Sequence, residues 1–500
     1  MTVAWLRTMA PVVVVALPLL GVAIAALPLP RRRRAALLIG VMAAALALAV
    51  VLTRAVLAGH TAEVNVLHVT PQFWLVLRVD APGALYGATV AALGLLATAF
   101  AVGYLNDDRH PARYHAFAMA VLAATLGLAY AGNLLTFFLF YEAFSVLTYA
   151  LVVHEQTPEA VAAGVKYIAY VLVGGTLVLA GVLLVYFTVG DASFVPGGFA
   201  ASGAAVDAAS MGALRWAFAC LAVGFGVKAA LVPLHGWVPD AHPAAPAPFS
   251  ALLSGVLVAA GGFGILRVIH DVYGVDLVRA LGVAPWLAAV AAATVLVGAA
   301  LAVGQPDLKR RLAYSTISQM GYLTLAVALL GATALVGALV HLTHHAFLKG
   351  TLFFCAGAWR HDLGARRISD LRGLGGRTPA VAAAFTVAAL GMIGVPPLAG
   401  FVSKWWLGAG MLEVGAGWAL AVLLLGALLA AAYLLPIVHA LYFEDAAPGG
   451  SVAAPRADRW TRVPLLTAAV LGVVLGLWAT LDGFPLELAA RAAAAWFPGG

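Results

Sequence analysis

The sequence is poor in charge, and this shortage excludes an ordinary soluble protein. Only 10% of its 500 residues are charged, whereas 64% are hydrophobic, and soluble domains carry about 25% charged residues. Apolar runs of about 20 residues, the length that crosses a bilayer as a helix, recur along the chain. No run stands out for the alternation of apolar and polar residues that marks a strand of a membrane barrel. The sequence therefore predicts an all-α polytopic membrane protein.

Cysteine is scarce as well, with only Cys220 and Cys355, both in apolar runs. Two isolated cysteines form neither a disulfide framework nor the paired spacing of a zinc or iron–sulfur site. Nothing resembles a phosphate-binding loop, a nucleophile triad or a flavin site. We therefore expect no cofactor and no metal in this chain, and its membership of an enzyme stays open. The net charge of +7 comes from arginines in loops, so it does not indicate a nucleic acid partner.

The apolar runs predict about fourteen membrane-spanning helices in a single transmembrane domain, residues 1–500. Their centres lie near residues 19, 46, 92, 122, 143, 175, 222, 259, 293, 322, 345, 393, 428 and 473. Basic loops alternate with loops poor in basic residues, which under the positive-inside rule places both termini outside a bacterial plasma membrane. The turn at 154–159 is an exception, because it should be cytoplasmic but has no basic residue before Lys166.

Two predicted spans are interrupted by proline in comparable ways, FGVKAALVPLHGWVPDAHPAAPAP and GMIGVPPLAGFVSKWW. Proline removes a backbone donor and clashes with the preceding turn, so we expect breaks near Pro233 and Pro396–Pro397. Broken helices at bilayer depth are tolerated only inside protein or beside a polar cavity. Lys228 and Lys404 lie close to the two breaks, which predicts a transport site there. The alternative is a structural kink with a lysine that reaches the interface.

Titratable groups occupy other apolar runs. Glu142 is the only acid in its span, and we expect it to pair with a lysine, either as a pair that passes protons or as a static ion pair. Lys166 lies near the start of its helix, as a relay member or as a partner of Glu155 or Glu159. In both cases the sequence leaves the two alternatives open.

The segment VHLTHHAFLKG places His341, His345 and Lys349 on one helical face, and His344 adjoins that face. Histidine titrates near neutral pH, so the segment predicts a proton relay. Packing between helices is the alternative, and zinc is disfavoured because no acid or third ligand stands nearby.

Three further titratable residues, Asp80, His235 and Asp240, lie just outside predicted spans. His235 and Asp240 follow the first break, and they predict a proton entrance, with a solvated loop as the alternative. Asp80 precedes the third span, and we expect it to cap that helix.

Six stretches together resemble a known family, and they lie between about residues 80 and 445: LFYEAFSVLTYALV, VKAALVPLHGWVPDAHPAAPAPFSALLSG, QPDLKRRLAYSTISQMGY, HLTHHAFLKGTLFFCAG, RRISDLRGLGGRTP and GVPPLAGFVSKWW. The chain resembles the antiporter-like, proton-conducting membrane subunits of complex I (NADH-quinone oxidoreductase), Mrp-type cation/proton antiporters and membrane-bound hydrogenases. The SKWW segment and the arginine-rich loop favour the Mrp D-type or hydrogenase-linked branch.

The resemblance implies two inverted five-helix repeats, spans 4–8 within 114–273 and spans 9–13 within 283–443, with helices 7 and 12 broken. The first three spans would lie within 1–110 and the last over 463–485. It assigns Glu142 and Lys228 to the first half-channel and Lys404 to the exit of the second, with the histidines between them. It also implies partner subunits and proton translocation, with coupling to sodium left open.

One departure from the family pattern concerns the link between the half-channels. Ala259 stands where many members have a central lysine, and Ser254 stands where some have a histidine. Water held by Ser254 and the histidines of the eleventh span could bridge the gap, or the chain could be an inactive structural subunit. A stand-alone proton-coupled solute symporter is a further alternative, although the predicted breaks are flanked mainly by small and aliphatic residues.

Overall fold

The structure is a computed structural model that describes residues 8–70, 73–203, 206–445, 458–479 and 484–497. Long helices, together with one short helix at a break, make up most of it. We number these helices α1 (Ala10–Ala26), α2 (Arg31–Leu57), α3 (Ala81–Tyr104), α4 (Pro111–Ala129), α5 (Leu134–Val152), α6 (Pro158–Val189), α7 (Ser210–Lys228), α8 (Val238–Ala244), α9 (Ala247–Tyr273), α10 (Ala284–Val303), α11 (Leu308–Ala328), α12 (Ala332–Leu363), α13 (Pro379–Ile393), α14 (Ala399–Glu413), α15 (Gly417–Phe443), α16 (Arg459–Leu477) and α17 (Leu486–Trp496).

The predicted fold class is confirmed. Each of the fourteen predicted centres lies in a helix, and ten of the described helices are long and apolar enough to cross a membrane. Both interruptions are present, since the seventh span divides into α7 and α8 and the twelfth into α13 and α14. The interrupted span is the fourth in each predicted repeat, and the inverted symmetry of the repeats stays a prediction.

Two features at the ends of spans were not expected. Strands β1 (Ala62–Thr70) and β2 (Phe73–Val79) form an antiparallel hairpin between α2 and α3, although the sequence had predicted helices and short loops alone. The hairpin is stabilised by backbone pairing with the turn before α5, where Gly132 N donates to Val76 O at 2.8 Å. The last span ends at Leu477 rather than at residue 485, and residues 480–483 lie outside the described part of the chain.

Helix α9 lies at the centre of the molecule. It is buried along its whole length, whereas only one third of the most apolar window of α15 is buried. It contains two π-helical segments, Leu253–Leu257 and Val268–Tyr273. Such segments widen the helix and are frequent at functional sites.

Helices α6 and α7 approach each other closely because small residues face each other. A β-carbon at Gly224 would lie 2.6 Å from the Gly174 carbonyl oxygen, so glycine is required at this crossing. The contact brings the end of α7, with Lys228, against α5 and α6.

Loops with basic residues lie together on one face, which we call the basic face. Arg113 donates to the His154 carbonyl oxygen at 2.6 Å, and Arg360 pairs with Glu155 at 3.2 Å. The 154–159 turn, an exception in the sequence, therefore lies on this face and receives its positive charge from α4 and α12. Which side of the membrane this face occupies stays a prediction.

A buried ion cluster holds the opposite face together. Arg267 of α9 pairs with Asp80 and with Asp271, each at 2.7 Å, and the Trp496 indole of α17 donates to Asp271 at 2.6 Å. Asp80 also accepts from the Gly83 amide, so its predicted capping role is confirmed. Burial raises the pKa of Asp80, but Arg267 and the Gly83 amide outweigh it and lower that pKa overall.

Replacing Arg267 by methionine should strongly destabilise the protein, because the buried Asp271 and the partly buried Asp80 would lose their counter-charge. The expected loss in the free energy of unfolding is about 3–5 kcal/mol. The half-exposed Arg372, which pairs with Glu444, is the matched control, and Arg372→Met should cost about 0–1 kcal/mol. Thermal unfolding in lipid nanodiscs measures both. Equal losses would show that the cluster is not a structural centre.

Candidate functional site

The first break places Lys228 at the last residue of α7. The helix stops there because Ala230 adopts a left-handed backbone conformation, with φ of 56°, and Pro233 has no amide hydrogen to donate. The chain then turns through Trp237 into α8. Lys228 has no exposed surface, so its predicted burial beside a break is confirmed.

Three aromatic rings surround the Lys228 ammonium, and we call them the aromatic box: Phe144, Tyr167 and Trp237. The ammonium donates a hydrogen bond to the Tyr167 hydroxyl oxygen at 3.0 Å. Its nitrogen lies 4.2 Å from the Phe144 ring centroid, 5.3 Å from that of Tyr167 and 5.8 Å from that of Trp237. A cation is attracted to a ring face, and more so where water is excluded. The box therefore replaces part of the hydration that the buried ammonium loses.

Glu142 lies on α5 beside the aromatic box and is half-buried. Its Oε1 atom is buried and makes no hydrogen bond within the described structure. Gly175 of α6 packs on this carboxylate, since a β-carbon there would overlap the Glu142 oxygens. Glu142 lies on α5 two residues before Phe144, which contacts the Lys228 ammonium, but in the described structure Glu142 and Lys228 form no ion pair within 4.0 Å. The predicted partners are thus neighbours, with the ammonium bonded to Tyr167 instead of the acid.

Lys166, Asp240 and Arg310 meet on the basic face beside a cavity of about 540 Å³. Lys166 pairs with Asp240 at 2.7 Å, and Arg310 pairs with the other carboxylate oxygen at 2.9 Å. The sequence suggested Glu155 or Glu159 as the partner of Lys166. The structure places Asp240 there instead, because the break turns α8 over the start of α6.

His235 lies within the first break, apart from this cavity. It is half-buried, its Nδ1 atom makes no described hydrogen bond, and it is not among the residues that line the cavity. Of the two residues predicted to form an entrance, the structure brings only Asp240 to the cavity.

The short helix α8 is held by side chains from the second half of the chain. Lys309 of α11 donates to the Ala245 carbonyl oxygen at 2.5 Å, and Arg360 of α12 donates to that of Pro243 at 3.2 Å. These carbonyls have no partner inside α8, so cations at its end complete their hydrogen bonds. The segment after the first break is therefore joined to both halves.

The histidines of α12 are buried, as predicted, and they lie together. The rings of His341 and His345 are 5.9 Å apart between centroids, and His341 Nδ1 lies 3.1 Å from the Ser403 hydroxyl of α14. His344 and His345 make no described hydrogen bond through either ring nitrogen. Among the described residues no group of three or more His, Cys, Asp or Glu side chains could hold a metal ion.

Lys349 lies farther along α12, with no exposed surface. It donates to the Ser315 hydroxyl oxygen at 2.7 Å and to the Leu312 carbonyl oxygen at 3.0 Å, both on α11. Ser315 is in turn 2.7 Å from the Tyr433 hydroxyl of α15. Lys349 therefore connects the histidine helix to a polar chain across two further helices.

The second break holds Lys404 in a different way from Lys228. Lys404 is 7% exposed, and its ammonium donates to the carbonyl oxygens of Met392 and Ile393, both at 2.8 Å. It also lies 5.3 Å from the Tyr322 ring centroid. The lysine thus turns inward and caps the end of α13, and it does not reach the membrane interface, which was the alternative for this residue.

The centre between the halves contains hydroxyl groups where the family pattern has a titratable group. Ala259 is completely buried in α9. Earlier in α9, within its first π-helical segment, the Ser254 hydroxyl lies 2.6 Å from the Thr316 hydroxyl on α11. This segment of α9 also packs against α12 beside His345. The structure therefore places a polar link at the predicted gap, without a charge.

Several buried polar atoms along α11 and α12 make no described hydrogen bond. They belong to Ser318, Gln319, Thr324, His341, His344 and His345. A buried polar atom without a partner costs roughly 1–3 kcal/mol, and buried waters commonly supply the missing partner. These atoms therefore mark where water would enter the interior.

The sequence reasoning missed the residues that surround the buried charges. The rings Phe144, Tyr167 and Trp237 come from three separate elements, and Gly175 contacts Glu142 from a fourth position in the chain. Aromatic and glycine residues are common in apolar spans, so no local pattern distinguishes these. They became recognisable only through their distances from Lys228 and Glu142.

Relatives with similar sequences include a subunit of NADH-quinone oxidoreductase and a component of a hydrogenase. The chain is 34% identical over 459 residues to NADH-quinone oxidoreductase subunit N of Desulforudis audaxviator, covering 88% of this chain and 90% of that protein. It is 32% identical over 349 residues to hydrogenase-4 component B of Escherichia coli, covering 66% of this chain and 50% of that protein.

Solved structures agree with the sequence comparison. A chain in the Mrp complex from Dietzia sp. DQ12-45-1b superposes with a TM-score of 0.86 at 27% identity, covering 98% of this chain and 97% of that one. A chain of respiratory complex I from Thermus thermophilus superposes with a TM-score of 0.76 at 25% identity, covering 96% and 100%. The family described as NADH:quinone oxidoreductase/Mrp antiporter, transmembrane, matches residues 131–430. With its broken spans and buried lysines, this chain is therefore a multi-pass membrane protein that belongs to the NADH:quinone oxidoreductase/Mrp antiporter family.

Proposed function

We propose that this chain is a proton-translocating subunit of a multisubunit membrane complex of the complex I, Mrp antiporter or membrane-bound hydrogenase type. The observation that carries the proposal is the row of buried cations, Lys228, Lys349 and Lys404, with unpartnered polar atoms between them. Titratable groups at membrane depth are costly and mark ion or proton pathways. Here the polar atoms between them provide positions for the water that protons need.

The proposed route begins on the basic face. The cavity beside Lys166 and Asp240 admits water and protons towards the first break. Glu142 and Lys228 form the first transfer site, the Ser254 region and the α12 histidines form the centre, and Lys404 stands at the exit of the second half. Because Glu142 Oε1 makes no described hydrogen bond, it can accept a proton without breaking a protein contact.

Charge movement at the first site follows from the neighbours of Lys228. While Glu142 is ionised, it attracts the ammonium electrostatically across the site. Protonation of Glu142 removes that attraction, so the ammonium is free to interact with other polar groups in the interior. Protonation or deprotonation of Glu142 thereby changes the electrostatic potential at the next charged group along the row.

The driving reaction is proposed to lie in partner subunits, since we expect no cofactor in this chain. The proposed location is a bacterial plasma membrane with both termini outside and the basic face towards the cytoplasm. Proton transfer alone and exchange of protons for sodium are distinguished by measuring flux with and without a sodium gradient.

One alternative is supported by a specific observation. Ala259 leaves α9 without the titratable group that many family members have at this position, as expected for a subunit retained only for assembly. The hydroxyl pair of Ser254 and Thr316 favours transport, because hydroxyl groups can hold a water chain across this position.

Proton flux through the whole complex tests the proposal. In inverted membrane vesicles that contain the complex, Glu142→Gln and Lys228→Ala should each lower flux by about a hundredfold or more, because a positioned proton-transfer group contributes about 10²–10⁴-fold. A pH-sensitive dye measures flux, and immunoblotting of the purified complex confirms assembly. Unchanged flux in both assembled variants would support the structural subunit instead.

A substitution at Gly175 tests the position of Glu142 independently. Gly175→Ala should displace the carboxylate, because the added carbon would overlap its oxygens, and flux should fall about tenfold. Gly212→Ala on α7 is the matched control, since no atom lies within 4 Å of the added carbon. Loss of flux in both variants would count against a specific effect on Glu142.

The central link is tested through Ser254. Ser254→Ala removes one hydroxyl of the pair, whereas Thr316 keeps its bond to the Leu312 carbonyl oxygen at 3.0 Å, so the fold should be retained. Flux should fall several-fold because the water chain loses a polar contact. Ser202→Ala, in an exposed connection, serves as the control. Full flux in Ser254→Ala would place the link between the halves elsewhere.

A further inference from the structure

Tyr167 joins three helices around Lys228. It lies on α6, is completely buried, and donates its hydroxyl hydrogen to the Ser145 carbonyl oxygen of α5 at 2.8 Å. The same oxygen accepts the hydrogen bond from Lys228 of α7 at 3.0 Å. Its ring packs against Trp237 with centroids 5.1 Å apart. One hydroxyl group therefore contacts both neighbouring helices.

The Ser145 contact determines how Tyr167 meets the lysine. A tyrosine hydroxyl has one hydrogen, and here that hydrogen is directed to a carbonyl that can only accept. Towards Lys228 the hydroxyl can then act only as an acceptor. An ammonium group can only donate, so this arrangement favours the charged lysine in its observed position.

Glu142 is the competing acceptor for the same ammonium. Glu142 lies on α5 two residues before Phe144, whose ring centroid is 4.2 Å from the Lys228 nitrogen, and its Oε1 atom has no partner in the described structure. A carboxylate binds an ammonium more strongly than a neutral hydroxyl does. The observed preference for Tyr167 therefore requires the geometry of the box and the packing of Gly175 on Glu142.

We propose that Tyr167 is a positioning residue for proton transfer, because its hydroxyl oxygen holds the Lys228 ammonium in the aromatic box and apart from Glu142. This inference rests on the proposed function of Glu142 and Lys228. Without the hydroxyl, the ammonium moves to Glu142 and forms a closed ion pair. A closed pair stabilises the ionised acid and impedes its reprotonation.

A purely structural role for Tyr167 makes a different prediction. The hydroxyl also ties α5 to α6, so its loss could loosen the helices without moving Lys228. Tyr167→Phe retains the ring and its contacts with Trp237 and removes both hydrogen bonds. The matched control is Tyr149→Phe, which removes a hydroxyl from α5 that makes no hydrogen bond in the described structure.

The scarcity of lysine makes a direct measurement practical. The chain has five lysines, Lys166, Lys228, Lys309, Lys349 and Lys404, so ¹⁵Nζ labelling yields five side-chain resonances. The full chain is studied in lipid nanodiscs, and the resonance of Lys228 is assigned with Lys228→Arg. Glu142→Gln is then introduced in the parent and in Tyr167→Phe, which forms a double-mutant cycle.

We expect Glu142→Gln to move the Lys228 resonance at least about threefold further in the Tyr167→Phe background than in the parent. Tyr149→Phe should leave the parent response unchanged. Equal responses in the parent and in Tyr167→Phe would overturn the inference. If Tyr167→Phe does not fold, Tyr167→His, which keeps an acceptor on a ring, takes its place, and its response should be intermediate.

Flux in the whole complex separates this inference from the proposed function. Tyr167→Phe should lower flux several-fold and change the pH profile of flux, whereas Tyr149→Phe should match the parent. Loss of flux in Glu142→Gln and Lys228→Ala with an unaltered Lys228 resonance in Tyr167→Phe would reject the positioning role alone. Full flux in those two variants would reject the proposed function, and the resonances would still report which acceptor holds Lys228.

Discussion

The structure depends on how the ammonium groups of buried lysines are stabilised without water. An ammonium in a membrane interior needs hydrogen-bond acceptors or aromatic faces in place of its hydration. Three of the four lysines that are buried in the described part of the chain, Lys228, Lys349 and Lys404, meet this need in three ways. Lys228 uses the aromatic box with one hydroxyl, Lys349 uses a serine and a carbonyl of α11, and Lys404 uses two carbonyls at the end of α13. The second break is therefore part of the charge-binding arrangement, since an interrupted helix frees the carbonyls that a continuous one would occupy.

The two halves have the same order of spans but different chemistry at their breaks. The first break leaves its lysine beside an acid and bonded to a neutral hydroxyl, an arrangement with two competing acceptors. The second gives its lysine two backbone acceptors that carry no titratable proton. Between them, the Ser254–Thr316 pair and the caps of α8 by Lys309 and Arg360 connect the halves. A change at the first site can thus reach the second half through α8 and through the polar centre.

Much of the scaffold could be predicted because membrane spans depend on length and hydrophobicity, which are properties of a short stretch of sequence. The span centres, both breaks and the burial of Lys228 and the α12 histidines followed from such stretches. The errors occurred where distant segments meet. The hairpin at Ala62–Val79 needs pairing with the turn before α5, and the partner of Lys166 depends on how the first break turns α8. No local pattern contains that information.

The chain's membrane class, its helix order and the burial of Lys228, Lys404 and the α12 histidines are readable from amino-acid order, because hydrophobic length and proline act locally. Which residue pairs with each charge depends on the tertiary structure. The close crossing of α6 and α7 at Gly174 and Gly224 brings Tyr167 to Lys228, and the packing of α5 on α6 brings Glu142 to Gly175. Contacts of this kind join residues many positions apart, and their distances exist only once the helices have packed.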